Sequence, residues 1–345
     1  MQPVTERLRA ATAAAGVALG GAPLGNLYHA VPDAVAVAVI RRAWQHGIRY
    51  FDTAPHYGQG LSERRFGAAL RAMPRDEFLL STKVGRLLRA DASAPSAQHG
   101  YVDVPAFVQE YDYSRDGVLR SLEDSRARLG LARVDIVYAH DLDRATHAER
   151  FDAHLRELLD SGLPALAELK RDGVIAGYGI GVNGVAICLE VLRHADLDAI
   201  LLAGRYTLAD QSALPELLPL CLRRGVAVVL GGAFNSGILA TGARPADGGP
   251  PLFDYEPASA PVIARVAALE AVGTRHDVPL RAAALQFPAA HRAVAAVLAG
   301  ARSEPEVDAL LAMRRFPVPA EYWRELRARG LVAAEAPLPD LHSDS

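Results

Sequence analysis

The sequence predicts an α/β fold, a single-domain (β/α)8 or TIM barrel with long loops over the mouth formed by the carboxyl ends of its strands. Short apolar runs alternate with amphipathic segments about eight times, which is the number that a barrel requires. Most of these runs are continuously apolar, as expected for strands buried on both faces. The 345 residues also accommodate such a barrel with additions. We expect residues 1–336 to form the barrel domain and 337–345 a loose tail.

The elements follow from periodicity and from start and stop signals. In the helix predicted at 33–46, apolar residues recur at helical spacing and Gly47 follows as a stop. Ser62, Ser114 and Ser303 each precede a helical pattern and are predicted N-caps. The other helices are expected to end at 72 and 130, to span 163–172, 185–194, 214–224 and 262–276, and to follow 303. Strands are predicted at 48–52, 77–83, 134–140, 175–181, 199–203, 227–231 and 294–299.

Two long connections interrupt this alternation, at 85–112 and 243–261. The first contains prolines, serines and glycines but also Tyr101, Phe107 and Tyr111, and aromatic residues argue against a disordered segment. We interpret it as a loop over the barrel mouth. The second is rich in glycine and proline and is also predicted to be a loop.

Composition excludes several classes of function. The net charge of −3 offers no basic surface for nucleic acid or an anionic membrane, and no run is long and apolar enough to span a bilayer. With only Cys188 and Cys221, the chain has no disulfide framework, which favours a reducing cytoplasm. Arg7 and Arg9 precede an alanine-rich run that could mimic a signal peptide, but the run contains alanine where a signal peptide has leucine.

Four polar residues fall at or just after the ends of neighbouring predicted strands: Asp52, Tyr57, Lys83 and His140. In a barrel they converge at one mouth, where they would suit hydride transfer between a nicotinamide and a carbonyl or alcohol carbon. A phenol has a pKa of about 10, and an adjacent ammonium lowers it, so Lys83 would tune Tyr57. Taken singly, each residue has a simpler explanation: a turn acid, a packing tyrosine, a solvated lysine or a structural histidine.

The residues Asp52-Thr53-Ala54, Tyr57-Gly58 and Ser62-Glu63 resemble the signature of the aldo-keto reductases. The resemblance covers nearly the whole chain and places the first strand at Val17-Ala18-Leu19-Gly20-Gly21. It implies that Tyr57 is the acid/base, that Lys83 and Asp52 support it, and that His140 orients the substrate oxygen.

The resemblance also implies a nicotinamide cofactor. Its predicted contacts are Asn183, Gly231, Phe234, Ser236, Gly237, Gly300, Arg302, Ser303 and Glu306. The helix after Ser303 could bind an anionic group at its N-terminus. NADP-using members carry a basic residue where this chain has Glu306, and a carboxylate repels a 2′-phosphate, so NAD is preferred. Nearby Arg302 leaves NADP possible. The chain departs from the family pattern at Ala203, Gly184 and Gly231.

Within the family, the segments 112–114, 203–207 and 234–237 resemble the bacterial D-threo-aldose 1-dehydrogenase branch, also called L-fucose dehydrogenases. Branch membership implies oxidation of the anomeric hydroxyl of a free aldose such as L-fucose, D-arabinose or L-galactose to a lactone. The pyridoxal 4-dehydrogenases are similar, and general aldehyde or ketone reduction is a further alternative. The predicted sugar contacts are His56, Tyr113, Arg205 and Asn235. We expect a monomer or homodimer without nucleic-acid or membrane partners.

Three other interpretations stay open at this point. Gly179 to Gly184 match the G-x-G-x-x-G pattern of a Rossmann dinucleotide site. His140, Asp141 and Asp143 could serve a metal-dependent barrel hydrolase, although no His-x-His pair follows a strand, and we expect no metal. Some relatives of this fold are non-catalytic, cofactor-binding subunits of channels.

Overall fold

Within the described residues, 2–246 and 248–339, the computed structural model contains eight parallel strands closed into a barrel. With four short strands outside the barrel, the strands are β1 Ala18–Gly20, β2 Tyr50–Asp52, β3 Leu79–Val84, β4 Arg86–Ala90, β5 Phe107–Tyr111, β6 Ile136–His140, β7 Gly177–Val182, β8 Ala199–Ala203, β9 Ala227–Gly231, β10 Leu252–Phe253, β11 Glu256–Pro257 and β12 Val294–Ala299. The barrel order is β1, β2, β3, β6, β7, β8, β9 and β12, which then pairs with β1. The predicted (β/α)8 fold is therefore confirmed.

Helices surround the barrel and connect its strands. They are α1 Val4–Thr12, α2 Asp33–Gln45, α3 Leu61–Leu70, α4 Arg115–Leu129, α5 Arg144–His147, α6 Phe151–Glu157, α7 Leu163–Arg171, α8 Val185–His194, α9 Leu217–Arg224, α10 Ile238–Thr241, α11 Ala260–Arg275, α12 Leu280–Gln286, α13 Glu304–Arg315 and α14 Ala320–Ala328. A π-helical turn, Leu158–Gly162, joins α6 to α7. No helix in the described ranges is both long enough and apolar enough to cross a membrane.

The interior of the barrel is closed at its amino-terminal end by α1. Val4 and Leu8 of this helix are buried in one cluster with the inward-facing side chains of the strands, including Tyr50 and Tyr138. The segment that could mimic a signal peptide thus contributes to the folded core. A larger apolar cluster fills the space between strands and outer helices, and Cys188 and Cys221 are both buried with free thiols.

The two long connections contain regular structure that the sequence did not reveal. In the first, β4 and β5 pair in antiparallel register from Arg86↔Tyr111 to Ala90↔Phe107 and form a hairpin beside the barrel mouth. In the second, β10 and β11 form a shorter antiparallel pair. The first connection reaches the barrel mouth as predicted, since His99, Gly100 and Tyr101 border a cavity there. The short paired strands were not predicted, because their contacts leave no strong periodic signal in so few residues.

The predicted helix caps had mixed outcomes. Ser114 and Ser303 are confirmed, because their hydroxyls accept hydrogen bonds from the amides of Gly117 and Glu306. Ser62 is not an N-cap. The helix begins at Leu61, and the Ser62 hydroxyl instead donates to the Gly21 carbonyl and lies 2.9 Å from the Thr53 hydroxyl. Ser62 thus ties α3 to the ends of two barrel strands.

Two further expectations concern the glycine pattern and the tail. Within the segment Gly179–Gly184, residues 179–182 form the end of β7 and Gly184 precedes α8. Because β7 belongs to the closed barrel, the Rossmann interpretation is ruled out. Of the predicted tail at 337–345, residues 340–345 lie outside the described residues. The domain boundary at 336 remains a prediction.

Candidate active site

A buried ion pair lies at the carboxyl end of the barrel. Asp52 ends β2, Lys83 is on the neighbouring β3, and the Lys83 ammonium donates to Asp52 Oδ2 over 2.7 Å. The two residues are only 2% and 1% exposed. Lys83 also donates to the Thr53 carbonyl over 2.9 Å, and the Ser81 hydroxyl donates to Asp52 Oδ1 over 2.6 Å. Because a buried charge requires such partners, the geometry of this pair is strongly constrained.

Tyr57 reaches the ion pair from a tight turn after β2. The ammonium of Lys83 lies 4.6 Å from the centre of the Tyr57 ring. The turn continues through Gly58, which has φ +65°, and a side chain there would collide with the Gly25 carbonyl. Glycine is therefore needed at this position, since it alone combines a positive φ with the close backbone approach that fixes the tyrosine.

His140 ends β6 and completes the group. Its ring centre lies 6.0 Å from that of Tyr57. The Tyr113 hydroxyl donates to the His140 carbonyl over 2.6 Å and lies 2.9 Å from His147 Nε2. The four residues predicted as catalytic are thus brought together from three neighbouring strands and one turn. Their chemical roles remain a proposal.

The charge states follow from burial. Burial raises the pKa of Tyr57 well above its usual value, and Asp52 adds to this shift. The net shift of this pKa is therefore upward, because desolvation by burial has a larger effect than the lowering expected from Lys83. Burial, Arg86 and Lys83 hold the pKa of His140 well below its usual value. Burial also raises the pKa of Asp52, which Lys83 and Ser81 counteract. Tyr57 and His140 are thus neutral near pH 7.

A cavity of about 340 Å³ opens above this group. It is bordered by Ala22, Leu27, Tyr28, His56, Tyr57, Lys83, His99, Gly100, Tyr101, His140, Asp141, Gly181, Val182, Asn183, Leu201, Ala203 and Tyr255. Aromatic and aliphatic walls therefore alternate with a few polar groups, which is typical of a small-molecule site.

The predicted substrate contacts occupy different places. His56 borders the cavity, and its Nδ1 is within 3.1 Å of both Arg86 and Gln109. Tyr113 is fully buried behind His140 and does not border the cavity. Arg205 is held by Asp210, Asp254 and the Asn183 carbonyl.

Asn235 is also outside the cavity lining. It is buried, accepts from the Thr207 hydroxyl and donates to the Gly204 carbonyl over 3.0 Å. A direct substrate contact by Tyr113, Arg205 or Asn235 is therefore not supported, because each side chain is committed to other protein groups.

Among the predicted cofactor contacts, Asn183 borders the cavity and donates to Asp141 Oδ1 over 3.3 Å. Gly231, Phe234, Ser236 and Gly237 lie at the end of β9 and in the turn after it, where the Ser236 hydroxyl accepts from the Tyr255 amide. Gly300, Arg302, Ser303 and Glu306 lie between β12 and the first turn of α13. Glu306 accepts from the Arg302 amide over 2.8 Å.

The residues present fit a nicotinamide cofactor. Four adjacent strands carry very small residues at or next to their carboxyl ends: Gly181 just before the last residue of β7, Ala203 ending β8, Gly231 ending β9, and Ala299 ending β12 and followed by Gly300. Small residues allow a flat ligand to approach the backbone closely. The N-terminus of α13 lies next to them, and the dipole of this helix favours an anionic group at that end.

Two charged residues at the site were missed or misjudged from the sequence. Arg86 of β4 is buried, and its guanidinium binds Asp141 and lies 2.9 Å from Gln109 Oε1. Asp141 was considered only as a metal ligand. No group of three or more His, Cys, Asp or Glu in the described part of the chain could hold a metal ion, and Asp143 instead caps α5. The signal that could have found Arg86 is its position, three residues after Lys83.

Comparisons with known proteins agree with this geometry. The sequence model that describes the aldo/keto reductase family matches residues 16–329 of this chain. Pyridoxal 4-dehydrogenase from Microbacterium luteolum is 44% identical over 91% of this chain and 94% of its own. D-threo-aldose 1-dehydrogenase from a Pseudomonas species is 40% identical over 93% of this chain and 97% of its own.

Among solved structures, the holo form of an aldo-keto reductase from Bacillus halodurans superposes with a TM-score of 0.70 at 26% identity, covering 94% of each chain. Enzymes of this kind transfer hydride with a nicotinamide cofactor. The barrel, the buried ion pair beside a tyrosine and these similarities lead to one conclusion: the chain is an enzyme of the aldo/keto reductase family.

Proposed function

We propose that this enzyme oxidises the anomeric hydroxyl of a free aldose of the L-fucose, D-arabinose or L-galactose type to a lactone. One observation carries the proposal. The cavity that contains Tyr57 and His140 also presents His56, Asp141 and Asn183 between aromatic walls. A sugar requires this combination, because its hydroxyls need several hydrogen-bond partners and its carbon face needs apolar surface. The relative named D-threo-aldose 1-dehydrogenase supports the choice.

In this reaction, each of the four residues at or just after the strand ends has a separate role. His140, a neutral imidazole, hydrogen-bonds the reacting oxygen and orients it towards Tyr57. The charge of Lys83, which Asp52 holds in place, stabilises the phenolate form of Tyr57. This phenolate accepts the hydroxyl proton and becomes a neutral phenol. A bound nicotinamide supplies the acceptor for the hydride that leaves the anomeric carbon. In the reverse direction, the neutral phenol donates its proton to a carbonyl oxygen.

The same site supports a preference for NAD. Glu306 lies in the first turn of α13. Its carboxylate accepts a hydrogen bond from the Arg302 backbone amide, and an Arg302 guanidinium nitrogen lies 3.7 Å from it. The carboxylate therefore reduces the positive charge that Arg302 would offer to a 2′-phosphate. We include NAD in the proposal as the preferred cofactor and NADP as the weaker one.

Pyridoxal is a second candidate substrate, and the aromatic walls favour it. Tyr28, Tyr101 and Tyr255 border the cavity and could stack against a flat pyridine ring. Pyridoxal carries a hydroxymethyl group next to its aldehyde, so it closes to a cyclic hemiacetal as free aldoses do. One chemistry, oxidation of a hemiacetal hydroxyl, thus covers both candidates. The relative named pyridoxal 4-dehydrogenase supports this alternative.

The test is a matrix of four substrates and two cofactors. Purified enzyme is mixed with L-fucose, D-arabinose, L-galactose or pyridoxal, each with NAD and with NADP, and nicotinamide absorbance is followed. We expect the highest kcat/KM for an aldose with NAD. Activity confined to pyridoxal would replace the proposal by its second candidate. Reduction of simple aldehydes without oxidation of any of the four would indicate a general reductase, and cofactor binding without turnover would indicate a regulatory subunit.

A further inference from the structure

Asp141 is the one carboxylate among the described residues that border the cavity. It follows His140 directly and is 9% exposed, so its charge lies in a largely desolvated position beside the reacting groups. The backbone at Asp141 has φ +47°, a conformation that few non-glycine residues adopt. Such backbone strain is often found where a side chain must point in a defined direction.

The partners of Asp141 keep it in place without using all its acceptor capacity. The Arg86 guanidinium binds Oδ2, and Asn183 donates to Oδ1 over a long distance of 3.3 Å. An ionised carboxylate has about four acceptor positions, and these two bonds occupy two of them. His140 Nε2 lies 3.4 Å from Asp141 Oδ2, which places the carboxylate next to the imidazole that faces the substrate oxygen.

We propose that Asp141 accepts a hydrogen bond from the C2 hydroxyl of the aldose and thereby selects substrates with a hydroxyl next to the reacting carbon. This inference rests on the proposed aldose oxidation. With the anomeric oxygen bound to His140 and Tyr57, the hydroxyl on the adjacent carbon lies within hydrogen-bond reach of the neighbouring carboxylate. Asp141 is then a specificity-determining residue, and Arg86 is the positioning residue that makes its buried charge tolerable.

This role of Asp141 explains why the Arg86–Asp141 ion pair joins two separate parts of the cavity wall. Arg86 comes from the β4–β5 hairpin, whereas Asp141 follows a barrel strand. Arg86 also contacts His56 Nδ1 at 3.1 Å and Gln109 Oε1 at 2.9 Å. The hairpin thus holds both the carboxylate and a second polar group of the cavity. A purely structural ion pair would not need to border the substrate space.

The test uses two pairs of sugars that differ only at C2. D-arabinose is compared with 2-deoxy-D-ribose, and L-fucose with 2-deoxy-L-fucose, in wild type and in Asp141→Asn. In wild type we expect kcat/KM to be about 10- to 100-fold higher for the hydroxylated sugar, the range of a hydrogen bond to a charged group. Asp141→Asn should remove most of this ratio by lowering kcat/KM for the hydroxylated sugar while changing the deoxy sugar by less than about threefold.

Asp143→Asn is the matched control, because it makes the same chemical change two residues away. Asp143 caps α5, and asparagine caps a helix as well as aspartate does. The control should keep the wild-type ratio. If Asp141→Asn folds poorly, as thermal unfolding will show, the double variant Arg86→Gln/Asp141→Asn removes both charges and should likewise lose the ratio.

The outcomes separate this inference from the proposed function. An equal loss of kcat/KM for hydroxylated and deoxy sugars in Asp141→Asn, or an unchanged ratio, overturns the role of Asp141 while the aldose oxidation stands. A wild type that oxidises no aldose overturns the proposed function, and the inference fails with it.

Discussion

The two halves of the barrel mouth are built on opposite principles. In one half, β2, β3 and β6 carry Asp52, Lys83 and His140, which are all buried, and short hydrogen bonds hold Asp52 and Lys83. In the other half, glycine or alanine lies at the ends of β8, β9 and β12 and next to the end of β7, and charged side chains like those of the first half are missing from these strand ends. We refer to these as the proton half and the cofactor half.

Under the proposed function, the difference reflects what each half binds. Proton transfer needs charged and polar side chains at fixed distances, and buried charges remain only where partners hold them. A large flat ligand needs open space and backbone donors, which small residues provide. Changes in the proton half should therefore abolish chemistry or stability, whereas changes in the cofactor half should alter the choice of ligand. The following experiments test this contrast.

The largest effect is expected for Tyr57→Phe. Removing the phenolic oxygen eliminates the proton acceptor, and we expect kcat to fall by about 10²- to 10⁴-fold, the usual contribution of a positioned acid or base. Cofactor affinity, measured by fluorescence titration, should remain within about twofold because the change lies in the proton half. Turnover at the wild-type rate would refute the assignment of Tyr57.

Tyr322→Phe is a matched control for Tyr57→Phe. Tyr322 is fully buried in α14, and its hydroxyl has no hydrogen-bond partner in the described structure. Loss of that hydroxyl makes the same chemical change outside the cavity lining, so we expect kcat to be unaffected.

Lys83→Met should lower the free energy of unfolding. It leaves the buried Asp52 carboxylate without its cation, and breaking a buried pair typically costs about 3–5 kcal/mol. Adding Asp52→Asn should restore part of this loss because the uncompensated charge is removed. Urea denaturation gives both values. A loss below about 1 kcal/mol, the range of exposed pairs, would show that the pair is less constrained than its geometry indicates.

The control for Lys83→Met is Lys170→Met. Lys170 pairs with Asp198 over 2.5 Å, but the lysine side chain is 37% exposed. Solvent screens such a pair, so we expect a change of about 0–1 kcal/mol.

In the cofactor half, Glu306→Lys should shift the choice between NAD and NADP. The substitution replaces a carboxylate in the first turn of α13 by a cation that can bind a 2′-phosphate. We expect the ratio of kcat/KM for NADP to that for NAD to rise by about 10- to 100-fold, the worth of a hydrogen bond to a charged group. Activity with saturating NAD should change little.

Glu304→Lys makes the same charge change in the same turn. A smaller shift in the cofactor ratio is expected there, because Glu306, and not Glu304, is bound to Arg302. Equal shifts in both variants would mean that the overall charge of the turn, and not residue 306, sets the preference.

The most gradual effect concerns pH. Because the pKa of Tyr57 is raised, the phenol is protonated at neutral pH, and oxidation requires its ionised form. The kcat/KM for oxidation should therefore increase about tenfold per pH unit between pH 7 and 9, while reduction should be flat. Rate measurements with saturating cofactor test this. A plateau below pH 8 would indicate that the phenol ionises more readily than its burial suggests.

Much of the fold could be predicted because the strand pattern is strong. Continuous apolar runs ending in Asp52, Lys83 and His140 indicated both the barrel and the edge where these residues meet. The caps at Ser114 and Ser303 were confirmed, since a cap is a local interaction within four residues. Ser62 was wrongly predicted to be a helix cap. Its hydroxyl instead contacts Gly21, which is 41 residues away, and Thr53, which follows a different strand, and neither contact can be predicted from the local sequence.

The walls of the cavity were harder to predict. The β4–β5 hairpin brings Arg86 to Asp141 across 55 residues, and nothing local to either residue indicates that pairing. Tyr113 was predicted to contact the sugar, yet its hydroxyl donates to the His140 carbonyl instead. Periodicity shows which face of an element is buried, but it does not show which buried group a long side chain will contact.

By itself, the sequence determined the barrel, the order of its strands and the set of polar residues at their carboxyl ends, because these depend on periodicity and on fixed chain direction. The tertiary structure alone decided the charge states and the cavity. Burial raises the pKa of Tyr57 despite the nearby Lys83, and a hairpin fixes Asp141 through Arg86. Desolvation and long-range ion pairing depend on the packing around a group, which no short stretch of sequence specifies.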